Sequence, residues 1–456
     1  MSNTIAAIAT PLALGGVSMI RISGDEAIKI ADRIFHPSRC DSLQELEGYS
    51  ASYGVVFDEQ GAIDDGMALI YRAPKSYTGE DVVEISCHGG IYITKRVLRL
   101  VIEKGARLAG PGEFSKRAFL NGKLSLTQAE SIMDLINSKS EQAMRSSRAQ
   151  MDGALYQKIE TMKTTLLNTA GHLAAWVDYP EEEIEEIREE TLLKTLQDCE
   201  KQMNHLLDTF DTGKMLREGI ETAIVGKTNV GKSTLMNLLS GCEKSIVTDI
   251  AGTTRDVIEE TVNLGNVILR LADTAGIRET DDFVEQKGVE LSLKRIRNAG
   301  FVLAVFDYSE ELNEDDRKII QEVIACNTPT LAVVNKTDLT QKIDLSYIND
   351  NFKQIVYTDR KDPFSLQRLI DAIETVLEFH QIDLSDGMIA NERQRSCALR
   401  TQQALKEAVQ AMEFGMTLDA VTVSIDQAIE ALLELTGERV TEKVVDQVFH
   451  NFCVGK

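Results

Sequence analysis

Proline is scarce in this chain, seven in 456 residues, and none falls between Pro111 and Pro180. A stretch that long without proline permits long helices, because nothing in it removes a helical N–H or forces a kink. Apolar runs are short as well. None reaches the roughly 18 residues that a membrane-spanning helix needs, and Met1-Ser2-Asn3-Thr4 has no basic region ahead of an apolar one. Neither a helical membrane span nor a secretory leader is expected. The seven cysteines, Cys40, Cys87, Cys199, Cys242, Cys326, Cys397 and Cys453, stand singly, and the six histidines show no zinc-ligand spacing. That pattern excludes a disulfide scaffold and a zinc module, and it implies a reducing, cytoplasmic setting. Basic residues are outnumbered: 49 Lys and Arg against 72 Asp and Glu give a formal charge of −23. Bulk attraction cannot coat such a chain with nucleic acid, so any RNA contact needs a local basic patch or a partner protein. The acidic run Glu181, Glu182, Glu183, Glu185, Glu186, Glu189 and Glu190 reads as a solvated helix start, where acids suit the helix dipole.

What is present centres on Gly226-Lys227-Thr228-Asn229-Val230-Gly231-Lys232-Ser233. It fits the phosphate-binding pattern G-x-x-x-x-G-K-[ST] and lies between a strand-like run, Thr222–Val225, and a helical one, Thr234–Leu239. The glycines let backbone N–H groups close on phosphate oxygens, and the helix N-terminus adds a positive field. Lys232 is the residue to reach the β- and γ-phosphates, and Ser233 the one to hold Mg²⁺. Asp273-Thr274-Ala275-Gly276 follows the strand-like Val267–Leu271 and would place a carboxylate near Mg²⁺ and an amide at the γ-phosphate. Asn335-Lys336-Thr337-Asp338 follows Leu331–Val334, and an aspartate there can accept both N–H groups of a guanine edge. Gly252-Thr253-Thr254-Arg255-Asp256 supplies hydroxyls between them. Four motifs in this order point to guanine nucleotide binding and hydrolysis. Ile277 stands where Ras-like GTPases carry a water-positioning Gln, and no arginine finger can be named. Glu285 is a candidate to hold the water and Arg278 to order the switch; the other reading of both is solvated helix surface. A fifth GTPase element is degraded to Ile355-Val356-Tyr357-Thr358-Asp359-Arg360, without a unique alignment.

Residues 1–121 alternate short apolar runs (Ile5–Ala9, Val17–Ile22, Tyr53–Phe57, Met67–Tyr71, Val82–Ser86) with turn residues, and a helix is predicted over Ile91–Glu103. Ser125-Leu126-Thr127-Gln128 is a capping-box pattern. Helical spacing then continues, which predicts one long helix, kinked near Gly153 or Gly171, and a second over Glu189–Leu207. Residues 387–452 hold two to four more helices. The fold class expected is multidomain α/β plus α: an α+β N-terminal domain (1–121), an all-helical domain split into 122–218 and 380–456, and an inserted P-loop GTPase domain (219–379) with a doubly wound, mostly parallel sheet.

The whole chain resembles the bacterial tRNA modification GTPases of the MnmE (TrmE) family. The resemblance rests on Thr4-Ile5-Ala6-Ala7-Ile8-Ala9-Thr10-Pro11, Gly15-Gly16-Val17, Ser76-Tyr77-Thr78-Gly79-Glu80-Asp81, His88-Gly89-Gly90 and Pro111-Gly112-Glu113-Phe114-Ser115. It continues through Arg117–Lys123, Gln128-Ala129-Glu130, Thr248–Asp256 and Asp273–Arg278, and it ends on Phe452-Cys453-Val454-Gly455-Lys456. It implies a homodimer, a heterotetramer with the FAD-dependent partner MnmG (GidA), and a tRNA substrate. It also implies addition of a (carboxymethyl)aminomethyl-type group to C5 of the wobble uridine, with a tetrahydrofolate derivative (5-formyl or methylene) as one-carbon donor.

The same resemblance implies site residues. Asn229, Thr248, Thr253 and the carbonyl of Ile250 would hold K⁺, and Ser233 and Thr254 would hold Mg²⁺. GTP would lie against Asn229, Val230, Gly231, Lys232, Ser233, Thr234, Thr248, Asp249, Ile250, Ala251, Gly252, Thr253, Thr254, Asp273, Thr274, Ala275, Gly276, Asn335, Lys336, Thr337 and Asp338. Glu285 matches the catalytic glutamate. Arg21, Glu80, Lys123 and Lys456 match folate-binding positions, with residues 1–121 also dimerising, and Cys453 matches a cysteine with a role in the modification. The chain departs from the family at Ala13-Leu14, where many members have Gly-Arg, at Lys227 and Val230, and most in its fifth GTPase element. The alternative carried beside this reading is a regulatory GTPase of ribosome assembly, Era-like in its GTPase part.

Overall fold

The structure is a computed structural model; it describes residues 3–178, 188–240, 260–264, 266–271, 296–297, 299–377 and 383–456. These form two compact units. One comprises Met1–Met133, Tyr156–Lys201 and Ser396–Lys456, the other Asp134–Leu155 and Gln202–Arg395.

The first unit is built on a seven-stranded sheet in the order β3-β4-β5-β6-β2-β1-β7. Its strands are β1 (Ile5–Ile8), β2 (Val17–Ser23), β3 (Phe35–Pro37), β4 (Ser50–Asp58), β5 (Gly61–Tyr71), β6 (Val82–His88) and β7 (Arg107–Leu108). Neighbours are antiparallel except β1 and β7. The period-2 alternation gives the sheet two unlike faces. Ala6, Ile20, Ile22, Val83 and Ile85 bury themselves against Ile28, Ile30, Val97, Leu100 and Val101, from the helices Ala27–Asp32 and Ile91–Glu103. On the other face Ile5 and Ala7 meet Ala109 and Phe114, the latter on helix Glu113–Leu120. Arg21 and Ser23 share that second face by alternation with Ile20 and Ile22. The expected strands and the helix Ile91–Glu103 are found, while β3, β7 and the helices Ala27–Asp32 and Glu113–Leu120 are additions.

The single long helix expected after Leu124 is three: Leu126–Ile136, Glu141–Met151 and Ala154–Asp178. Ser140 ends the first gap by capping the next helix, its Oγ accepting from the N–H of Ala143 at 3.1 Å. Gly153, at φ +96°, makes the second break, whereas Gly171 lies inside a helix. The predicted capping box forms: Ser125 Oγ accepts from Gln128 N–H at 3.2 Å and Gln128 Oε1 from Ser125 N–H at 3.0 Å. Glu189–Asp208, Glu392–Glu413, Leu418–Thr436 and Glu442–His450 complete the helices of the chain's two helical stretches that concern the first unit. Val421, Ile425, Ala428, Leu432 and Leu435 form the buried stripe of one of them. Lys163 reaches from helix Ala154–Asp178 to Glu438 at 2.7 Å, so residues distant in sequence close one body. No helix among the described residues is long and apolar enough to cross a membrane.

The second unit holds a six-stranded sheet in the order β13-β12-β11-β8-β10-β9. The strands are β8 (Ile220–Val225), β9 (Glu260–Asn263), β10 (Ile268–Leu271), β11 (Phe301–Asp307), β12 (Thr330–Asn335) and β13 (Ile355–Thr358). All pairings are parallel except β9 with β10. Every residue of β11 is buried, as a parallel sheet covered on both faces requires. One core gathers Ile224, Leu235, Leu239, Leu303, Val305 and Ile373, and the other Ala223, Val302, Ala304, Phe306, Ile319 and Ile348.

Candidate nucleotide site and a second polar cluster

The 226–233 loop leaves the carboxyl end of β8 and runs into helix Lys232–Ser240, at the edge where open parallel sheets bind ligands. Its backbone is specialised. Gly226 has φ +153°, and a Cβ there would stand 2.4 Å from the carbonyl oxygen of Val305 on β11. Asn229 takes φ +62°, a left-handed conformation that asparagine tolerates better than most residues. Lys232 Nζ arches back over the loop and donates to the carbonyls of Gly226 at 2.7 Å and Lys227 at 2.6 Å. Lys227 Nζ fastens the outer arm to Glu310 at 2.8 Å and Asp316 at 3.3 Å. Burial pushes the Lys227 ammonium down, but these two carboxylates outweigh it and leave its pKa above the ordinary value. Ser233 and Thr234 stand exposed in the first helical turn.

The second nucleotide motif clasps the first. Asn335 Nδ2 donates to Val230 O at 3.0 Å, and Thr358 Oγ1 donates to Asn335 Oδ1 at 3.2 Å. Lys336, at φ +63°, donates to Asn229 O at 2.7 Å and to Asp307 Oδ2 at 2.5 Å. Burial raises the Asp307 carboxyl, but Lys336 and Ser309 hold it below its usual range. Asp307, Asn335 and Thr358 are register partners across three parallel strands. This register places the fifth element, which the residues alone leave unaligned: Thr358–Lys361 lies beside Asn335–Asp338. Thr337 Oγ1 donates to Thr358 O at 3.3 Å, and Lys361 Nζ pairs with Asp338 Oδ2 at 2.9 Å. That ion pair holds the Asp338 carboxyl below its ordinary value. Asp307 and Lys361 are functional candidates that the motif reading missed, and Thr358 stands in the segment it leaves unaligned. For Asp307 a signal existed, a charged residue closing the apolar run 301–306 at a strand's carboxyl end.

Lys361 occupies the carboxylate of Asp338, the residue expected from the sequence to accept a guanine edge. Lys361→Ala is therefore expected to slow GDP release about two- to fivefold, the scale of an exposed ion pair. Stopped-flow displacement of a fluorescent GDP checks it, and faster release would show that Lys361 holds the base instead.

Thr248, Asp249, Ile250, Ala251, Gly252, Thr253, Thr254, Asp273, Thr274, Ala275, Gly276, Arg278 and Glu285 lie outside the described residues.

The four residues singled out for folate lie in the first unit. Arg21 donates through Nε to Glu84 at 2.7 Å and through Nη1 to Gly455 O at 2.9 Å, with its guanidinium over the rings of Tyr77 and Phe114. Glu80 accepts from Ser23 Oγ at 2.8 Å and from Arg117 Nη1 at 2.8 and 3.0 Å. Arg117 is only 8% exposed and also donates to Asn3 O at 2.7 Å. Glu113 completes the group. Burial raises its carboxyl, but Arg107, the Gly110 N–H and Arg117 outweigh this and bring its pKa to about 2. Burial, then the charge of Arg21, lowers the Lys456 pKa. Lys123 Nζ donates to Pro74 O at 3.2 Å. Glu80 lines a cavity of about 570 Å³ with Arg107, Lys116, Arg117 and His450. Lys123 lines another of about 720 Å³ with Phe119, Gln128 and Tyr156. Arg21 and Lys456 are thus neighbours, Glu80 is one pleat away through Ser23, and Lys123 borders a different cavity. Cys453 is exposed. Arg117, within a motif that carries the resemblance, and Ser23 are not among the site residues named from the sequence.

Two family models match this chain: the GTP-binding protein TrmE N-terminus over residues 4–123 and the MnmE helical domain over residues 126–453. The chain belongs to the MnmE family. Curated relatives agree along the full length. The tRNA modification GTPase MnmE of Listeria welshimeri serovar 6b is 43% identical, over 100% of this chain and 99% of its own. That of Bacillus subtilis strain 168 is 40% identical over 100% of both chains. Among solved structures, Aquifex aeolicus Era bound to GDP and AlF4⁻ is 26% identical and covers 41% of this chain and 66% of its own, with a TM-score of 0.26. The MnmE match runs through both ends, including residues 4–123 that a nucleotide-binding stretch does not need, and so disfavours the Era-like alternative.

Proposed function

We propose that this chain is a K⁺-dependent GTPase of tRNA wobble-uridine modification. In this reading it works as a homodimer with an FAD-dependent partner and a tetrahydrofolate one-carbon donor, in the cytoplasm where its tRNA substrate lies. The observation that carries the nucleotide half is the clasp: Asn335 and Lys336 tie the strand end that bears Asp338 to the carbonyls of Val230 and Asn229. One rigid body then carries both the phosphate cradle and the carboxylate that reads a guanine edge. The loop depends on its glycines, since a Cβ at Gly226 would stand 2.4 Å from Val305 O and one at Gly231 2.1 Å from Asn335 Nδ2, and such a backbone-lined loop suits phosphate. Lys232, whose Nζ lies on the carbonyls of Gly226 and Lys227, would turn to phosphate oxygens. Ser233, with Thr254, would hold Mg²⁺. Asn229, with Thr248, Thr253 and Ile250, would hold K⁺. When bound, these cations offset the negative charge that builds on the phosphoryl group being transferred. Glu285 would position the water that Ile277 cannot, and Arg278 would order the switch.

The folate half is supported by a fixed carboxylate beside cations. Ser23 and Arg117 hold Glu80 in place through hydrogen bonds to its carboxylate, an acceptor suited to the N–H edge of a pterin. Arg21 and Lys456 would supply charge for a glutamate tail, and Lys123, which borders the other cavity, would reach it only from there. Cys453 stands close to Lys456 for a part in the modification. The domain limits that accompany this reading are 1–121, 122–218, 219–379 and 380–456. Mass spectrometry of wobble uridines from cells lacking the chain tests the proposal. Loss of the C5 substituent, restored by the wild-type chain, is the result expected; full modification without the chain contradicts it.

A further inference from the structure

We propose that Arg21 is a latch that holds residues 453–456 onto the second face of the seven-stranded sheet, and so sets where Cys453 and Lys456 stand. The hydrogen bond from Arg21 Nη1 to Gly455 O, 2.9 Å long, joins residues 434 positions apart. Arg21 is itself immobilised. Glu84 takes its Nε at 2.7 Å, and the rings of Tyr77 and Phe114 lie 5.8 and 5.6 Å from the guanidinium carbon. A planar guanidinium can serve two acceptors at a fixed angle, which a lysine ammonium on a flexible stem does not.

The segment is shaped to be held. Gly455 has φ +99°, and a Cβ there would stand 2.4 Å from Ile8 O and 3.0 Å from Ala9 Cα, so its backbone lies directly on the end of β1. Val454 bridges Pro111, Gly112 N–H donates to Cys453 O at 3.4 Å, and Phe114 N–H donates to Lys456 O at 3.2 Å. These are few and long backbone contacts. The charge-assisted bond from Arg21 is the strong one. Phe114 connects the two sides, because its amide receives the segment while its ring lies against Arg21.

The latch rests on these contacts and needs no folate. Joined to the proposed function, it means that the residue offered to an anionic ligand also positions the segment bearing Cys453. Ligand occupancy and segment docking are then coupled through one guanidinium.

Hydrogen–deuterium exchange of the full chain tests this. Arg21→Ala is expected to speed exchange in peptides covering 450–456, and at Gly112 and Phe114, by about tenfold. Peptides of β4 and β5 should be unchanged. Gly455→Ala keeps Arg21 but sets a methyl against Ile8 O, and is expected to open the same peptides. Arg21→Lys should not restore protection. If Arg21→Ala loosens the whole sheet, Gly455→Ala decides: opening confined to 450–456 and its partners supports the latch, and unchanged exchange there overturns it. Unchanged exchange at 450–456 in an otherwise native Arg21→Ala protein also overturns it. Calorimetry with 5-formyl-tetrahydrofolate on the wild-type chain keeps the two proposals apart. No binding there rejects the folate reading and leaves the latch to the exchange data.

Discussion

Gly231→Ala is expected to lose guanine nucleotide binding by at least a factor of about a hundred. The reason is a collision with a specific partner. Gly231 has φ +101°, where an alanine is strained, and its Cβ would stand 2.1 Å from Asn335 Nδ2. Backbone strain of this kind costs about 1–3 kcal/mol. The overlap adds a larger penalty that the chain can relieve only by moving Asn335. Moving it breaks the bond to Val230 O and leaves a buried carbonyl unpaired, at about 1–3 kcal/mol more. The two nucleotide motifs then part. Fluorescent GDP titration measures the loss, and a melting curve shows whether the cores around Phe306 and Leu303 persist. Binding within twofold of wild type would mean that the clasp does not organise the loop.

Asp338→Asn is expected to reverse base preference, from guanine to xanthine nucleotides. A carboxylate accepts two N–H groups from guanine. An asparagine amide offers one acceptor and one donor, which meets the xanthine edge and leaves a guanine N–H facing a donor. A site built on paired polar groups discriminates by about a hundredfold or more against a mismatched edge. In this chain the exchange also breaks the pair with Lys361, so GDP loses a carboxylate while Lys361 loses its partner. Competition of GDP and XDP for the fluorescent nucleotide gives the ratio. Unchanged GDP preference would place base recognition elsewhere in the site.

The parts of this molecule that were legible in the sequence are those in which one local pattern meets one local requirement. The capping box at Ser125 and Gln128 needs only four residues, and it forms. Helix Ile91–Glu103 has an amphipathic stripe of Thr94, Val97, Leu100 and Val101 after Gly90, and its limits match the expectation. The 226–233 loop is a pattern whose glycines are dictated by positive φ and by the close approach of Val305 O and Asn335 Nδ2. What stayed hidden depends on neighbours distant in the chain. The break at Gly153 is one of two places expected for a kink, but the one before Ser140 interrupts a continuous helical periodicity and shows only as polar residues. Arg117 sits at ordinary helical spacing, and its burial comes from Asn3 and Glu80, 114 and 37 positions away. Thr358 could be placed only once β13 was in register with β12, because its own neighbourhood has lost the familiar residues.

The central claim is that a monovalent cation beside Asn229 takes the place of an arginine finger. It is tested most directly by the steady-state rate of GTP hydrolysis in equal concentrations of KCl and NaCl, for the wild-type chain and Asn229→Ala. The account predicts hydrolysis at least about tenfold faster in KCl, and removal of that difference in Asn229→Ala with GDP binding retained. Equal rates in the two salts for the wild-type chain would contradict it.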